Sequence, residues 1–183
     1  RDALQWLLKS RSVQSQVWGS AEAFLASASC ELCGCLLLDV RMPGMSGIEL
    51  FDRLRALNCR LPVIFLTGHG DVPMAVQALK DGAFDFIEKP YDDNALVDKV
   101  LAALEHDTKR CIREKSLREV QHRLEQLTQR EQEVMHQILA GKLNKVIADE
   151  LGIAMRTVEV HRSHIFEKMQ VRSAVELSQV LGL

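Results

Sequence analysis

Three buried-looking runs, each ending in a residue of different chemistry, constrain this chain more than any other feature. Leu36-Leu37-Leu38 leads from Cys35 into Asp39, Leu61-Pro62-Val63-Ile64-Phe65-Leu66 leads into Thr67, and Phe84 to Ile87 is followed by Glu88-Lys89-Pro90. Runs of this length bounded by turn residues read as strands buried on both faces. Helical segments lie between them. Ser46 with Glu49 forms a capping box that opens a helix through about Leu57. Asp71 can cap a helix with Pro73 in its first turn and Gly82 at its end. Residues 92–104 are amphipathic. Upstream, residues 2–9 look like the tail of an amphipathic helix, Val13 to Trp18 reads as a short alternating strand, and Ser20 can cap a helix through Ala28. Strand–helix alternation of this kind predicts an α/β fold, a doubly wound parallel sheet with helices on both faces.

In such a sheet successive strand ends point to one edge, where ligands bind. An ionised carboxylate at a strand end is costly to bury unless that edge opens into a polar crevice. Asp39 is therefore either a reactive carboxylate or a loop acid. With Thr67 and Lys89 at the same edge, a carboxylate, a hydroxyl and an ammonium can meet. Their chemistry is coherent: the carboxylate attacks phosphorus to form an acyl phosphate, Lys89 offsets the phosphoryl charge, and Thr67 donates to a phosphoryl oxygen. Phosphoryl transfer asks for little beyond positioning and electrostatics. The added charge can pull a nearby hydroxyl and loop into a new state. A phosphatase of the haloacid dehalogenase class also uses an aspartate at a strand end, but needs a second acid two residues on. Here that position is Arg41.

The strand pattern stops near residue 104. Residues 105–127 are highly charged, with Leu117, Val120, Leu124 and Leu127 along one edge, as in a helical linker. From Thr128 the pattern is short helices. Thr128 with Glu131 makes a second capping box, Gly141 ends that helix, Asn144 can cap Lys145–Leu151, and Gly152 stops it. Met155–Met169 is longer, and Ser173 with Glu176 opens a last helix. Two helices joined by Gly152-Ile153-Ala154 form a helix-turn-helix candidate. The expected domains are thus 1–104, a linker over 105–127, and 128–183. The last carries seven Lys/Arg and seven Asp/Glu, so its nonspecific attraction to nucleic acid is modest.

The whole chain has 47% hydrophobic and 26% charged residues and a net charge of −2, ordinary for a globular protein. It holds no apolar run long enough to span a membrane, and its start lacks the order of zones of a signal peptide, so a cytoplasmic protein is expected. Cys30, Cys33 and Cys35 look like half a metal site. No second Cys or His cluster stands nearby to complete a tetrahedral shell, so they read as small buried hydrophobes.

The segments LLLDVRMPGMSG, VIFLTGHGD and FDFIEKP, with 28 residues from Asp39 to Thr67 and 22 from Thr67 to Lys89, resemble the three later signature strands of a response-regulator receiver domain. The resemblance implies a flavodoxin-like fold. It makes Asp39 the phosphoacceptor, Thr67 the switch hydroxyl, Lys89 the phosphoryl-pairing lysine and Tyr91 the switch aromatic. Pro90 follows Lys89 through a cis peptide, and Asp39 and the Arg41 backbone carbonyl are ligands to Mg²⁺. Receivers also place an acidic pair at the end of their first strand to hold that ion. This chain has neither the strand nor the pair, because Arg1 falls in the helix that should follow, so an additional N-terminal segment is expected. A receiver without the pair would be a pseudo-receiver used only for protein contacts.

The stretch LTQREQEVMHQILAGKLNKVIADELGIAMRTVEVHRSHIFEKM resembles the LuxR-type helix-turn-helix, in the arrangement of the NarL and FixJ response regulators. By resemblance Lys145–Leu151 is the scaffold helix and Met155–Met169 the recognition helix. Helix-turn-helix proteins place the N-terminal part of the recognition helix in the major groove, which makes Arg156, Thr157, Val160, His161 and Arg162 candidate DNA contacts. Lys145 and Lys168 add charge toward the DNA backbone. Ala154 stands where the family often has a capping Ser, and the last helix, with Val175 and Val180, is the dimer surface the family implies. The function implied is a two-component transcription regulator, not an enzyme. Its partners are a sensor histidine kinase, promoter DNA, a second copy of itself and RNA polymerase, with no membrane.

Overall fold

The computed structural model describes residues 2–27, 32–68 and 72–183. The chain divides into two compact units, Arg1–Cys111 and Ile112–Leu183. In the first, β1 (Leu36–Asp39), β2 (Val63–Thr67) and β3 (Asp85–Glu88) form a parallel sheet in the order β1-β2-β3. The helices are α1 (Asp2–Ser10), α2 (Ala21–Ser27), α3 (Gly47–Ala56), α4 (Val72–Lys80) and α5 (Asp93–Glu125), of which α5 runs on into the second unit.

The period of two along each strand sorts residues to opposite sheet faces. Leu38, Val63 and Phe65 pack with Phe24 of α2, Leu50, Phe51 and Leu54 of α3, and Ala78 of α4. Ile64, Leu66 and Ile87 pack with Leu7 and Leu8 of α1 and Leu96, Val97 and Val100 of α5. Both faces are therefore covered, and β2, buried at every residue, is the hydrophobic spine. This is the doubly wound layering that the strand–helix alternation predicts.

Local chemistry fixes most element ends where expected. The Ser46 and Glu49 capping box is complete, with Ser46 Oγ accepting from Glu49 N–H at 3.2 Å and Glu49 Oε2 accepting from Ser46 N–H at 2.8 Å. Gly82 sits at φ +102°, a conformation favouring glycine, just past α4. The expected cap Asp71 lies outside the described residues, as do Cys30 and Ala28.

Two expectations fail here. Val13 to Trp18 is not a strand. Val13 N–H instead closes α1 by donating to Leu8 O at 2.9 Å, and Val13 packs on the α1/α5 side. Trp18 meets the Phe24 ring edge-on at 5.0 Å. The apolar alternation comes from two separate anchors, one to each layer. Cys33 is not a buried hydrophobe: it is exposed and disulfide-bonded to Cys111. Cys35 does lie in the α1/α5 layer.

The second unit holds the rest of α5 with α6 (Gln129–Leu139), α7 (Asn144–Leu151), α8 (Met155–Met169) and α9 (Ala174–Leu181). Its core is Leu127, Val134, Ile138, Ile147, Val158, Ile165, Met169 and Leu177, joined by Val120 and Leu124 from the apolar edge of the linker helix. Gly152 ends α7 in the left-handed conformation at φ +63°. The Thr128 and Glu131 box forms completely. Asn144 is not the cap of α7. Leu143 takes that place without a side-chain bond, because the helical turn already includes Asn144, with Ile147 N–H donating to Leu143 O at 3.1 Å. Ser173 caps α9, but Glu176 reaches Arg172 N–H rather than the cap's own backbone.

Candidate functional site

The parallel register sets the chemistry of the first site. Asp39 pairs across β1 and β2 with Leu66, and Thr67 pairs across β2 and β3 with Glu88. The ends of all three strands therefore share one edge, and the chain carries Lys89 just past β3. Lys89 N–H donates to Thr67 O at 2.8 Å, which fastens the lysine's backbone to β2. Its side chain reaches across two strands so that Nζ donates to Asp39 Oδ2 at 2.6 Å, each side chain being 40% exposed. Asp39 Oδ1 accepts from Arg41 N–H at 3.2 Å. The carboxylate is thus held at both oxygens yet open to solvent. Thr67 is fully buried, and its hydroxyl donates to Gly68 O at 3.1 Å. The Lys89–Pro90 peptide is cis, and Tyr91 packs half-buried against the α1/α5 layer.

The loop after Asp39 is shaped by two residues whose roles no short motif explains. Gly47 N–H donates to Val40 O at 3.1 Å, and a Cβ at Gly47 would stand 2.1 Å from the Asp39 carbonyl oxygen. Only glycine lets α3 begin this close to the phosphoacceptor candidate. Glu22 of α2 accepts from Met45 N–H at 3.0 Å and so braces the loop from outside. Hydrogen bonds to its own backbone N–H, to Ser20 and to Met45 hold the Glu22 carboxyl below the usual carboxylate range. Gly47 closes the segment LLLDVRMPGMSG without any sign there of its close approach to Asp39; the Glu22 contact, 23 residues before Met45, leaves no local trace.

For Mg²⁺, the chain's expected donors at this edge are the Asp39 carboxylate and the Arg41 carbonyl. Mg²⁺ takes about six oxygen ligands in near-octahedral order and usually keeps several of them as water, so among the described residues these two would supply part of its shell. Lys89 already occupies one Asp39 oxygen.

In the second unit the buried residues Val158, Ile165 and Met169 turn one face of α8 inward. Arg156 and Val160 fall on the opposite, exposed face, and the Arg156 side chain is 86% exposed. Arg156 Nη1 donates to Glu159 at 3.3 Å. Thr157, His161 and Arg162 flank that face half-buried. The Arg162 guanidinium lies over the Phe166 ring at 5.3 Å, and His161 Nδ1 is buried with no hydrogen-bond partner. Lys145 is exposed on α7. Lys168 is engaged: its Nζ donates to Glu131 Oε2 at 2.6 Å and to Gln126 O at 3.2 Å. Ala154, the N-cap of α8, makes no side-chain cap bond. On α9, Val175 and Val180 are exposed.

Comparison with known proteins finds a match for each of the two units. Residues 1–101 match the response regulator receiver domain, and residues 125–181 match the bacterial regulatory proteins of the luxR family. The C4-dicarboxylate transport transcriptional regulatory protein DctR of Rhodobacter capsulatus is 49% identical over 182 residues, 98% of this chain and 92% of that protein. The transcriptional regulatory protein FixJ of Azorhizobium caulinodans is 44% identical over 97% of this chain and 84% of its own. The solved structure of the response regulator StyR superposes with a TM-score of 0.94 at 41% identity, covering 100% of this chain and 92% of that one.

Proposed function

Because the chain belongs to the NarL/FixJ-type response regulators, a receiver joined to a LuxR-type DNA-binding domain, we propose that Asp39 is its phosphoacceptor and that α8 reads promoter DNA. The observation that carries the first part is the Lys89 Nζ to Asp39 Oδ2 contact of 2.6 Å at the common edge of the sheet. An Asp39 oxygen attacks the phosphorus of a phosphohistidine on a sensor kinase. The O–P bond forms as the P–N bond breaks, and the imidazole leaves with a proton from solvent. Lys89 moves from the bare carboxylate to the phosphoryl oxygens, where the charge has grown. Thr67 gives up Gly68 O and donates to the phosphoryl group. That turn of the hydroxyl draws Thr67 toward Asp39, and Tyr91 follows into the space beside it. A Mg²⁺ ion, where bound, would be held in part by the Asp39 carboxylate and the Arg41 carbonyl and would offset charge on the phosphoryl oxygens.

For DNA, the exposed Arg156 and Val160 lie on the outer face of α8, with Arg156 toward phosphate and Val160 toward a thymine methyl. Thr157, His161 and Arg162 line its flanks. Lys145 adds phosphate contact from α7. Lys168, drawn into its pair with Glu131, contributes field rather than a direct bond. With a balanced charge over residues 128–183, two copies meeting through Val175 and Val180 supply the affinity that one copy lacks. The protein works in the cytoplasm with a histidine kinase upstream and RNA polymerase at its promoters.

Incubation with radiolabelled acetyl phosphate in Mg²⁺ buffer tests the reading. The wild-type chain takes up acid-stable, base-labile label and binds selected promoter DNA more tightly afterwards; D39N takes up none. Uptake by D39N would overturn the assignment of Asp39. No uptake by the wild-type chain would leave the front unit a pseudo-receiver for protein contacts.

A further inference from the structure

We propose that Cys33 and Cys111 are a reversible thiol–disulfide pair, a modification site oxidised by small disulfides of the glutathione class. Cys33 lies in the loop entering β1 and Cys111 lies 78 residues on in α5, with the two sulfurs bonded and the Cα atoms 6.6 Å apart. That span is within the range a disulfide bridges without moving the backbone.

A second set of contacts holds the same two segments together whether or not the sulfurs are joined. Asp107, one turn before Cys111, is 1% exposed. Its Oδ2 accepts from Gly34 N–H at 2.7 Å, and its Oδ1 accepts from the Arg110 guanidinium at 2.7 Å. A buried carboxylate with these partners clamps the residue after Cys33 to the turn before Cys111. In the reduced protein the thiols stay in range, so closing the bond needs little reorganisation.

The two sulfurs differ in ways that suit an exchange reaction. Cys33 is exposed and can meet a small disulfide; Cys111 is half-buried. Arg110 Nη2 stands 3.4 Å from Cys111 Sγ and Asp107 Oδ2 stands 3.5 Å from it, so a cation and a carboxylate both face that sulfur. Cys35, two residues from Cys33, is set apart: burial, and then the negative charge of Asp107, push its thiol up to about 12. It stays protonated and does not compete for the bond. Cys33, Asp107 and Cys111 also lie close enough to be read as three ligands of a thiophilic cation, but Asp107 has its oxygens committed to Gly34 and Arg110.

The exchange balances in two steps. The Cys33 thiolate attacks one sulfur of oxidised glutathione, forming a mixed disulfide and releasing one glutathione thiolate. The Cys111 thiolate then attacks Cys33 Sγ and releases the second. Two protein thiols are oxidised by two electrons, one small disulfide is reduced to two thiols, and the two protons pass to those thiols through solvent. The bond fastens the last residue of the first unit, Cys111, to the loop before β1. Disulfides in a reducing compartment are transient and redox-sensing rather than permanent. That setting rests on the proposed role as a DNA regulator, whereas the chemistry does not.

The full chain, without DNA, is equilibrated in glutathione buffers of graded ratio, blocked with N-ethylmaleimide and digested for mass spectrometry. The expected result is a peptide cross-linking Cys33 to Cys111 that grows with the oxidised fraction and vanishes when reduced glutathione is restored. It is absent in C33S and in C111S and unchanged in C35S. Amide exchange over residues 107–114 slows on oxidation in the wild type and not in either of the first two variants. No cross-link at any ratio, a cross-link to another cysteine, or one that reduced glutathione does not open overturns the proposal. So does one Zn²⁺ ion held tightly by the reduced wild type and lost in C33S and C111S. Failure here leaves phosphoryl uptake by Asp39 untouched, so the two readings fall separately.

Discussion

Asp39 and Glu131 are both carboxylates bonded to a lysine at 2.6 Å, and on the function proposed above they do opposite work. Asp39 is 40% exposed, with one ammonium and one N–H as partners. Glu131 is 4% exposed, and it answers Lys168, the Thr128 backbone N–H and the Thr128 hydroxyl together. An open ion pair is screened and contributes little to stability, which leaves its carboxylate free to react. A buried carboxylate whose Oε2 accepts from Lys168 and from both Thr128 donors ties α6 to α8 and is closed to solvent. On that reading the same residue pairing serves as a reactive centre or a structural clamp according to how much water and how many donors surround it.

The largest expected effect breaks the reactive half. D39N removes phosphoryl uptake entirely while changing the unfolding free energy by less than about 1 kcal/mol, measured by label incorporation and urea melts on the same preparation. A comparable loss of stability would show that the pair is structural after all. Next is Gly47→Ala. The added Cβ would stand 2.1 Å from Asp39 O and 3.1 Å from Leu38 Cγ, and the first is backbone that must shift. Crowding of this kind costs about 1–3 kcal/mol, and a small displacement of the nucleophile lowers its rate up to about a hundredfold. Uptake kinetics on the folded fraction separate the two.

Glu131→Gln breaks the structural half. It keeps the shape and one acceptor but loses the charge-assisted bonds, at about 1–3 kcal/mol of stability for the second unit. The pH dependence sharpens it. Burial works to raise the Glu131 pKa, but the bonds from Lys168 and Thr128 and the Lys168 charge outweigh it, so the folded value lies below the ordinary 4.5. A lowered folded pKa means stability that is fully present above 4.5 and lost as pH falls through the folded value. The wild type therefore weakens in acid below that point, and Glu131→Gln removes this part of the slope. Melts of the second unit's helical signal across acid pH test it; an unchanged slope in the variant would exclude Glu131 as its source.

The contrast also separates what the sequence could reveal from what it could not. Asp39, Thr67 and Lys89 were legible because each closes its own apolar run, and a parallel sheet sends all such ends to one edge. Both complete capping boxes were legible because donor and acceptor sit three residues apart. Glu22 on Met45, Asp107 on Gly34 and Lys168 on Glu131 join residues 23, 73 and 37 apart, and nothing local marks such partners. Cys33 falls in this class too, its bond spanning 78 residues, which is why spacing alone made it a hydrophobe. Val13 to Trp18 misled for a different reason: alternation shows which residues are buried, not that a neighbouring strand is there to pair with them.

The smallest expected effect concerns the start of α8, where the proposed reading surface meets an unfinished helix end. Ala154 has the extended cap conformation, φ −69° and ψ 145°, and the Thr157 and Val158 N–H groups bond back to its carbonyl at 2.9 and 3.2 Å. The backbone is thus already arranged as a cap, and only a side-chain oxygen is missing. Ala154→Ser supplies it for a first-turn N–H at no cost in backbone rearrangement, and should stabilise the second unit by about 1 kcal/mol. Because Arg156 and Thr157 lie in that same first turn, the added order should also tighten DNA binding by a few-fold at most, while leaving phosphoryl uptake at Asp39 unchanged. A gain in melting stability with no change at Asp39 would show that the two halves of the comparison are energetically separate. An Ala154→Ser variant that melts no later than the wild type would mean that water already satisfies that N–H as well as a hydroxyl can.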